Sequence, residues 1–420
     1  MATEVVVVGG GFAGLEAAFY LRWRAAGRVR ITLVSSEPQF YFKPNSIYIP
    51  FGLDPGRLLL PIGPAAERAG IRFVTARLEG MDPQEGRLFL ASGSPSHLAY
   101  DYLIIATGAR MRPEEIPGLG DHAAQIWTAD QMLDLRGRLR KLVELARQGH
   151  RQQVLFLVPP NNRCSGPLYE LVFMLDSWLR RQGVRRQVDI SYATYEKGYI
   201  QAFGPRLNEV VELEFARRGI HGVRNWIAQE VLPNVVRFAH GETLPYDLLI
   251  SFPPYVASTW LPPLPADDRG FLRTELSTRQ VVGYPQIFAA GDAADFPVKQ
   301  AYLAMLQADA AAEQVAARIL GTEPQQVFEP TSMCIMEQFD TATFAHVPLR
   351  LTGDPQRPVE VDERANGRYR VGVSPLWRMG KKLLGYYLPW RFRNGLPFHA
   401  GKPWAAMEAG LKVMSTLLAR

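Results

Sequence analysis

The sequence of 420 residues contains only two cysteines, Cys164 and Cys334. Two cysteines cannot build a framework of structural disulfides, and a bond between these two would join segments 170 residues apart. The sequence has no run of about 18 apolar residues, so we expect no membrane-spanning helix. Its N-terminus, Met-Ala-Thr-Glu, lacks the basic and apolar segments of an export signal, so we expect none.

Glycine is missing from a loop where a second nucleotide-binding turn would need it. Residues 154–158 predict a buried strand and residues 165–170 begin a helix, but residues 159–164 read Pro-Pro-Asn-Asn-Arg-Cys. A backbone of this composition cannot approach a pyrophosphate closely. We therefore predict that this second unit has a degenerate NAD site and that its chemistry uses Cys164 instead. The helix N-terminus and Arg163 would lower the pKa of the Cys164 thiol. The alternative for Cys164 is an inert buried thiol. For Cys334 an inert thiol is the prediction, unless this residue pairs with Cys164.

A complete glycine fingerprint is present after the first predicted strand, residues 4–8. A helix and a second strand, residues 29–34, follow it, and helix N-terminal N–H groups favour a phosphate at this position. The second strand ends in Ser35 and Ser36, whose hydroxyls can make the ribose hydrogen bond usually made by an acidic residue. The predicted dinucleotide contacts in the turn are Gly9, Gly11, Phe12, Ala13 and Gly14.

Two further strand ends extend this pattern, namely Ala106-Thr107-Gly108 and Gly291-Asp292. Together with the fingerprint they resemble the glutathione-reductase-like flavoproteins, which have two Rossmann-like dinucleotide-binding domains. The resemblance implies a bound FAD, with Asp292 on its ribityl chain and Gly108 where the chain crosses beside it. It also implies cofactor contacts from Lys43 and Pro44.

We therefore predict an α/β fold with two Rossmann-like domains and a C-terminal membrane-associating region. The FAD-binding domain comprises residues 1–112 and 284–325. The second Rossmann-like domain comprises residues 113–283 and carries Cys164, and residues 326–420 carry Cys334 and the tail.

Lys299 stands just before a predicted helix that begins near Gln300. A lysine at a helix N-terminus opposes the helix dipole, so it is favourable only where it meets an anion. Reduced flavin is such an anion, and a solvated lysine is the alternative.

The positive charge of the chain is concentrated in residues 376–420, which contain eight basic residues and one acidic residue. Aromatic side chains lie between these cations, and Met407, Leu411, Met414 and Leu418 follow at helical spacing. This pattern is typical of a helix in an anionic membrane interface, and a helix packed on the protein or on a second copy is the alternative. No nucleic-acid recognition motif accompanies the charge, so we expect no nucleic acid partner.

Several segments together resemble the sulfide:quinone oxidoreductases and the related flavoprotein subunit of flavocytochrome c sulfide dehydrogenase. These segments are residues 163–170, Pro297-Val-Lys299, the surroundings of Cys334 and residues 390–395. The resemblance covers nearly the whole chain. It implies that sulfide reacts at a redox pair of Cys164 and Cys334, with Cys334 nearest the flavin, and that Lys299 stabilises the reduced flavin.

The resemblance also assigns roles outside the cysteine pair. Glu170 is a candidate proton relay, and capping of its own helix is the alternative. We expect quinone and the membrane surface to meet the tail at Tyr386, Tyr387, Trp390 and Phe392.

The chain departs from the family's pattern at several positions. A third cysteine of many members is Trp127 here, and two histidines are Gln131 and Ala202. The first change leaves long polysulfide products in doubt, and the second leaves the proton route open. Residues near Phe42 contain no cysteine that could tether a flavin, so we expect the FAD to be non-covalent.

These observations predict an FAD-dependent enzyme that oxidises sulfide and reduces quinone, as a peripheral protein on the cytoplasmic face of the cell membrane. One alternative is a sulfide dehydrogenase that reduces a cytochrome. Another is a type II NADH:quinone oxidoreductase, which the loop at residues 159–164 disfavours. A non-catalytic FAD-bound persulfide sensor is the third. We expect no metal site, and a homo-oligomer is left open.

Overall fold

The computed structural model describes residues 2–91, 95–355 and 357–419. Its α-helices, numbered along the chain, are α1 (Phe12–Ala25), α2 (Ile62–Arg68), α3 (Leu119–His122), α4 (Ala129–Arg147), α5 (Gly166–Arg181), α6 (Gly204–Arg218), α7 (Ala301–Leu320), α8 (Pro375–Arg393) and α9 (Gly401–Leu418). Strands of the first half are β1 (Thr3–Val8), β2 (Val29–Ser35), β3 (Gln39–Tyr41), β4 (Leu59–Pro61), β5 (Arg72–Thr75), β6 (Arg77–Asp82), β7 (Arg87–Ala91), β8 (His97–Ala99), β9 (Tyr102–Ile105), β10 (Ala109–Met111), β11 (Ala124–Gln125), β12 (Gln152–Val158) and β13 (Val188–Thr194). The remaining strands are β14 (Ile220–Arg224), β15 (Ala228–Leu232), β16 (Val235–Phe238), β17 (Thr243–Pro245), β18 (Leu248–Ser251), β19 (Tyr255–Ala257), β20 (Ile287–Ala289), β21 (Thr331–Glu337), β22 (Ala342–Leu351), β23 (Val359–Val361) and β24 (Arg370–Ser374).

The first of two large sheets is parallel throughout, in the order β20-β9-β1-β2-β5. The valines of β1 are buried on both faces, as the central strand of a covered parallel sheet requires. Val5 and Val7 pack in the cluster that contains the α1 side chains, and Val6 and Val8 pack with the apolar side chains of β6–β8. Because the strands are parallel, the segments that follow β1, β9 and β20 emerge at one edge of the sheet.

The second large sheet is also parallel, in the order β11-β18-β12-β13-β14. Strand β12 is its buried centre, and the loop with Cys164 joins the carboxyl end of β12 to α5. The structure therefore places Cys164 at the same kind of edge that carries the glycine fingerprint in the first sheet.

The C-terminal part of the chain builds an antiparallel sheet covered by the two last helices. Strand β22 pairs with β21, β23 and β24, and Cys334 on β21 lies opposite Ala345. Trp377 of α8 is fully buried and stacks on Phe344, with 3.9 Å between the ring centroids. The apolar side chains of α9 face this cluster, so the stripe from Met407 to Leu418 packs on the protein. Our interpretation of that stripe as a membrane contact is wrong, because its side chains pack in the hydrophobic core of the C-terminal part.

Small antiparallel sheets complete the fold, formed by β3-β4, β6-β7-β8, β10-β19 and β15-β16-β17. Within the described residues, no helix combines the length and the apolar character needed to cross a membrane. The boundaries of the predicted domains stay a prediction.

Candidate functional site

One cavity of about 730 Å³ collects the segments singled out in the sequence. Its wall contains the turn after β1, the loop before α5, the N-terminal end of α7, strand β21 and one face of α8. Both cysteines lie in this wall as separate thiols, although 170 residues separate them in the sequence. The topology therefore brings the two sulfur atoms to one site.

The fingerprint turn at one end of the cavity accepts only glycine at two positions. Gly9 has a φ of +128°, and a Cβ there would lie 2.1 Å from the Ala106 carbonyl oxygen. A Cβ on Gly14 would lie 1.8 Å from the Gly9 carbonyl oxygen, so the helix can begin this close to the strand only without a side chain. Gly11 faces open space, and the first turn of α1 has neither a side-chain cap nor an acidic residue. Its free N–H groups fit the pyrophosphate of a dinucleotide.

Most of the predicted cofactor contacts line this cavity. The lining residues among them are Gly9, Gly11, Phe12, Ala13, Ser35, Ser36, Lys43, Pro44, Ala106, Thr107, Gly108, Asp292 and Lys299. Gly14 and Gly291 lie behind the wall, where their missing side chains allow close packing. A Cβ on Gly291 would lie 2.8 Å from the Ala13 Cβ.

Two lysines and one aspartate form the charged part of the wall. Burial raises the pKa of Asp292, and the charges of Lys299 and Lys43 oppose this rise. Burial also lowers the pKa of each lysine to about 7, and Asp292 partly restores both. The Lys43 ammonium lies 3.0 Å from the centroid of the Trp127 ring. Lys43 and Lys299 can therefore each exchange a proton near neutral pH. Such groups can balance a ligand whose charge changes during a reaction.

Lys299 is buried, which excludes the solvated alternative. Its ammonium donates to the Ala294 carbonyl oxygen and lies 3.8 Å from the centroid of the Phe271 ring. Its backbone N–H donates to the Arg163 carbonyl oxygen at 3.0 Å, which ties the start of α7 to the cysteine loop. The helix α7 has no side-chain cap at its N-terminus, and its first residues, Ala301 and Tyr302, line the cavity beside Lys299.

Asn162 holds the loop that carries Cys164. The Asn162 side chain is buried, donates to the Phe252 carbonyl oxygen at 2.7 Å and accepts the Cys164 backbone N–H at 3.0 Å. One amide thus connects the carboxyl end of β18 to the backbone of the thiol. Sequence reasoning missed this residue, because the pattern Asn-Asn before Arg163 does not show which asparagine turns inward.

The pKa of the Cys164 thiol is raised, contrary to our prediction. Burial is the main cause, the nearby Cys334 and Asp292 add to it, and the Gly166 N–H opposes it only in part. Arg163 acts on Lys299 instead, whose pKa it lowers. The enclosing wall therefore outweighs the helix N-terminus, because burial penalises the thiolate directly.

Burial likewise raises the pKa of the Cys334 thiol, to about 12, with Glu170 adding to the rise and Lys381 opposing it. Glu170 accepts the Glu337 backbone N–H at 2.6 Å and forms an ion pair with Lys381 of α8. The capping alternative for Glu170 is wrong, because α5 begins at Gly166 and the Glu170 partners belong to β21 and α8. Burial raises the pKa of Glu170, and Lys381 counteracts this rise.

Glu196 is a second buried carboxyl group in the cavity wall, and sequence reasoning missed it. Burial raises its pKa to about 7, while hydrogen bonds from Thr194 and the Gln201 backbone oppose the rise. Its charge adds to the raised pKa of Cys164. Its only signal in the sequence is its position two residues after a buried strand.

The inner face of α8 differs from the residues that we predicted. Lys381, Leu384, Gly385 and Leu388 line the cavity at the spacing of one helical face. None of the four aromatic residues predicted for quinone lines it, and all four lie in the described part of the chain. Those residues are Tyr386, which is 71% exposed, Trp390, which is 43% exposed, the half-buried Tyr387 and the fully buried Phe392.

Phe392 requires a correction, because it cannot face a membrane. Its ring packs between the rings of Phe19 and Phe40, at centroid distances of 6.2 and 5.2 Å.

Gln131, at the position of a family histidine, completes a capping box with Thr128 and accepts the Trp127 backbone N–H at 2.9 Å. Ala202 and Trp127 both line the cavity.

Comparison with known proteins agrees with this architecture. A family model described as pyridine nucleotide-disulphide oxidoreductase matches residues 3–146. The sulfide-quinone reductase of Aquifex aeolicus is 31% identical over 241 residues, which cover 56% of this chain and 54% of that protein. The mitochondrial sulfide:quinone oxidoreductase of Mus musculus is 23% identical over 308 residues, 71% of this chain and 67% of that protein. The part of the chain that aligns in sequence thus spans about half the length of the Aquifex relative and about two thirds of the mouse relative.

The solved structure of the sulfide:quinone oxidoreductase from Aquifex aeolicus superposes with a TM-score of 0.84 and 24% identity. The match covers 98% of this chain and 96% of that one. The two parallel sheets and the cavity between their glycine and cysteine loops thus define a protein of the pyridine nucleotide-disulphide oxidoreductase fold. Within this class the chain is a relative of the sulfide:quinone oxidoreductases.

Proposed function

We propose that the protein is an FAD-dependent oxidoreductase that oxidises sulfide at Cys164 and Cys334 and passes the electrons to a membrane quinone. The observation that carries this proposal is the shared wall, in which both cysteines and the dinucleotide turn line one cavity. The names of the Aquifex and mouse relatives support the same substrates. The loop without glycine at residues 159–164 argues against a second dinucleotide, and hence against NADH as the donor.

The residues present fit a non-covalent FAD. The turn from Gly9 to Ala13 would hold the pyrophosphate at the N-terminus of α1, and Asp292 would accept from the ribityl hydroxyls. The N-terminus of α7 and Lys299 would face the ring system, and no cysteine lies near Phe42 to form a covalent link. When bound, FAD supplies the ability to take two electrons from the sulfur centre and release them to an acceptor.

In this proposal sulfide reacts with the oxidised pair, in which the Cys164 and Cys334 sulfurs are bonded directly or through sulfur. The sulfide sulfur forms a new S–S bond with one cysteine, the old S–S bond breaks, and the other cysteine keeps the bonding electron pair. The wall disfavours a thiolate at either position, so the released sulfur needs a proton or a counter-charge. Glu196 beside Cys164 and Glu170 beside Cys334 are the buried carboxyl groups that can supply the proton, and Lys381 near Cys334 can supply the counter-charge.

Lys299 would compensate the charge of the reduced cofactor. Because burial lowers its pKa to about 7, the amine exchanges a proton near neutrality. A negative charge arriving in the cavity raises this pKa and favours the ammonium form, which stabilises that charge.

The outer face of α8 supports the membrane part of the proposal. We call its exposed apolar row the outer stripe of α8, formed by Leu376, Met379, Leu383, Tyr386 and Trp390. The opposite face of the same helix lines the cavity, so one helix separates the site from the surface that would meet lipid. An exposed apolar row flanked by Lys382 and Arg393 suits a membrane interface with anionic lipids. Attachment at the cytoplasmic face remains part of this proposal.

The decisive experiment adds sulfide, and separately NADH, to the purified yellow protein without oxygen and follows the flavin absorbance. Sulfide should bleach the flavin and NADH should not, whereas bleaching by NADH alone would refute the proposal. Cys164→Ser and Cys334→Ser should each prevent bleaching by sulfide while FAD stays bound. Turnover with a quinone but not with a cytochrome then separates this proposal from the sulfide dehydrogenase, and bleaching without turnover would indicate the sensor.

A further inference from the structure

A buried cluster beside the cavity has no role in the chemistry described above. It consists of Glu16 on α1, Asp309 on α7 and His399 in the segment between α8 and α9, with one ligand-type atom from each within 4.8 Å of the others. Glu16 is fully buried, and the side chains of Asp309 and His399 are 6% and 3% exposed. Three ionisable groups in such a position need an explanation, because burial penalises their charges.

Two of the three groups are neighbouring carboxyl groups. Burial and the charge of Asp309 both raise the pKa of Glu16, so the pair favours a state that holds one proton. In the part of the chain that the structure describes, neither has a lysine or arginine as an ion-pair partner. Glu16 accepts the backbone N–H groups of Phe398 and His399, and Asp309 is the carboxyl group that pairs with the His399 imidazole.

His399 connects this pair to the cavity. Its Nδ1 lies 3.4 Å from an Asp309 carboxylate oxygen, and its side chain is part of the cavity wall together with Tyr302 and Trp404. Among the described residues, neither ring nitrogen of His399 has a hydrogen-bond partner, and Asp309 Oδ1 has none. Buried polar atoms without a partner are uncommon, so these atoms indicate a ligand or a transferable proton.

Burial is the main influence on the pKa values of the cluster, and the surrounding charges modify it. Burial lowers the pKa of His399 to about 4, while Glu16 and Glu408 oppose this and Arg391 adds to it. Burial raises the pKa of Asp309 to about 7 and that of Glu16 as well. The neutral imidazole thus stands beside an acid that loses its proton near neutrality.

The tyrosines around the cluster stay protonated. Tyr20 and Tyr302 feel the Asp309 charge and Tyr387 feels the Glu16 charge, and burial raises the pKa of each. They therefore do not compete as acids near neutral pH.

We infer that Glu16, Asp309 and His399 form a proton relay that delivers one proton to the quinone reduced in the cavity. This inference rests on the proposed function for the identity of the acceptor. His399 receives the Asp309 proton at Nδ1 and gives the Nε2 proton to the quinone oxygen, and solvent restores the proton of Asp309. The overall reaction balances, since HS⁻, quinone and one proton give sulfur and quinol. The relay supplies that single net proton.

The test compares two electron acceptors in the purified enzyme with FAD bound. Ferricyanide takes electrons without protons, whereas quinone needs both. In His399→Gln and Asp309→Asn, quinone reduction should fall by about 100-fold, the usual effect of losing a general acid, while sulfide-driven ferricyanide reduction persists. His346→Gln is the matched control, because this half-buried histidine lies on β22 and outside the cavity wall. Equal loss with both acceptors, or no loss with quinone, would overturn the relay.

A second measurement does not require turnover, and it distinguishes the proton relay from a purely structural role of the cluster. Because the pKa of Asp309 is raised on folding, its contribution to stability is full below about pH 4 and is lost as the pH rises through about 7. Asp309→Asn should flatten the decline of the melting temperature of the FAD-bound protein between these pH values, by the part that Asp309 contributes. A stoichiometric divalent cation bound by wild type and lost in Asp309→Asn would contradict the relay, because the cation would replace the proton.

The outcomes separate failure of the relay from failure of the proposed function. If sulfide does not bleach the flavin of wild type, the proposed function fails, and the melting curves still report on the proton. If bleaching is normal and quinone reduction is unchanged in both variants, only the relay fails.

Discussion

The Asn162 side-chain oxygen accepts the backbone N–H of Cys164 at 3.0 Å, and the same amide donates to the Phe252 carbonyl oxygen at 2.7 Å. A single buried side chain thus joins the second sheet to the backbone of the reactive loop. Loop residues that position chemistry are commonly held in this way by a rigid scaffold.

Asn162→Ala should misplace Cys164 and destabilise the protein by about 1–3 kcal/mol, because it leaves a buried carbonyl without its donor. We expect slower bleaching of the flavin by sulfide with FAD still bound, measured by stopped flow beside a denaturant titration. Asn161→Gly is the control, since Asn161 has a φ of +63° that glycine adopts freely. Normal bleaching in Asn162→Ala would show that the Asn162 side chain does not set the position of the Cys164 thiol.

The two thiols of the reduced protein should react slowly with alkylating agents. With a pKa of about 12 for Cys334, about one thiol in 10⁴ is ionised at pH 8. The alkylation rate should rise about tenfold per pH unit up to pH 10, followed by mass spectrometry of the intact protein. Unfolding in denaturant should abolish the protection, and rapid labelling of the folded protein at pH 7 would contradict the raised pKa values.

Gly14→Ala should abolish FAD binding, because its Cβ would lie 1.8 Å from the Gly9 carbonyl oxygen and force the fingerprint turn open. The measurement is the ratio of flavin to protein absorbance after purification. Gly27→Ala is the matched control, since no heavy atom lies within 4 Å of a Cβ there. A yellow Gly14→Ala protein would refute the placement of the pyrophosphate at this turn.

Lys381→Met should lower stability by about 1–3 kcal/mol, because it removes the partner of the buried Glu170 and a donor to the Ile335 carbonyl oxygen. Without Lys381 the pKa of Glu170 rises further, so the loss should be larger at pH 8 than at pH 5. Thermal melts at both values test this expectation. Lys382→Met, a change at the exposed neighbour, should leave the melting temperature unchanged.

The outer stripe of α8 should determine membrane binding. The triple substitution of Leu383, Tyr386 and Trp390 by serine should abolish sedimentation with vesicles that contain anionic lipid, while sulfide still bleaches the flavin. The same change at Trp260 and Leu213, which are 62% and 65% exposed outside the tail, is the matched control. Binding to anionic vesicles should weaken with salt, since each basic residue near the surface contributes about 1 kcal/mol. Undiminished sedimentation of the triple variant would remove the tail from the membrane proposal.

Local patterns were sufficient for the parts of the site that the backbone builds. The strand, turn and helix from β1 to α1 lie where the glycine spacing predicts them, because only glycine permits the close approach of Gly14 to Gly9. The position of the loop with Cys164 likewise follows from the buried strand before it and from the helix that begins after it. These features depend on neighbours within a few residues, and such neighbours can be read along the chain.

Side-chain burial could not be predicted in the same way. The tail was interpreted from its aromatic content, but its helical period turns Lys381, Leu384 and Leu388 inward and leaves Tyr386 and Trp390 outside. Phe392 packs against Phe19, more than 370 residues earlier in the chain. A helix shows which residues share a face, but only its packing partner decides which face is buried.

The sequence by itself determined the dinucleotide turn, the two parallel sheets and the presence of two cysteines with no others to pair with. The tertiary structure decided that both cysteines share one wall, that their thiols are harder to ionise, and that Glu16, Asp309 and His399 meet. The physical reason is that backbone geometry is set by local sterics, whereas the charge state of a buried group depends on everything that encloses it.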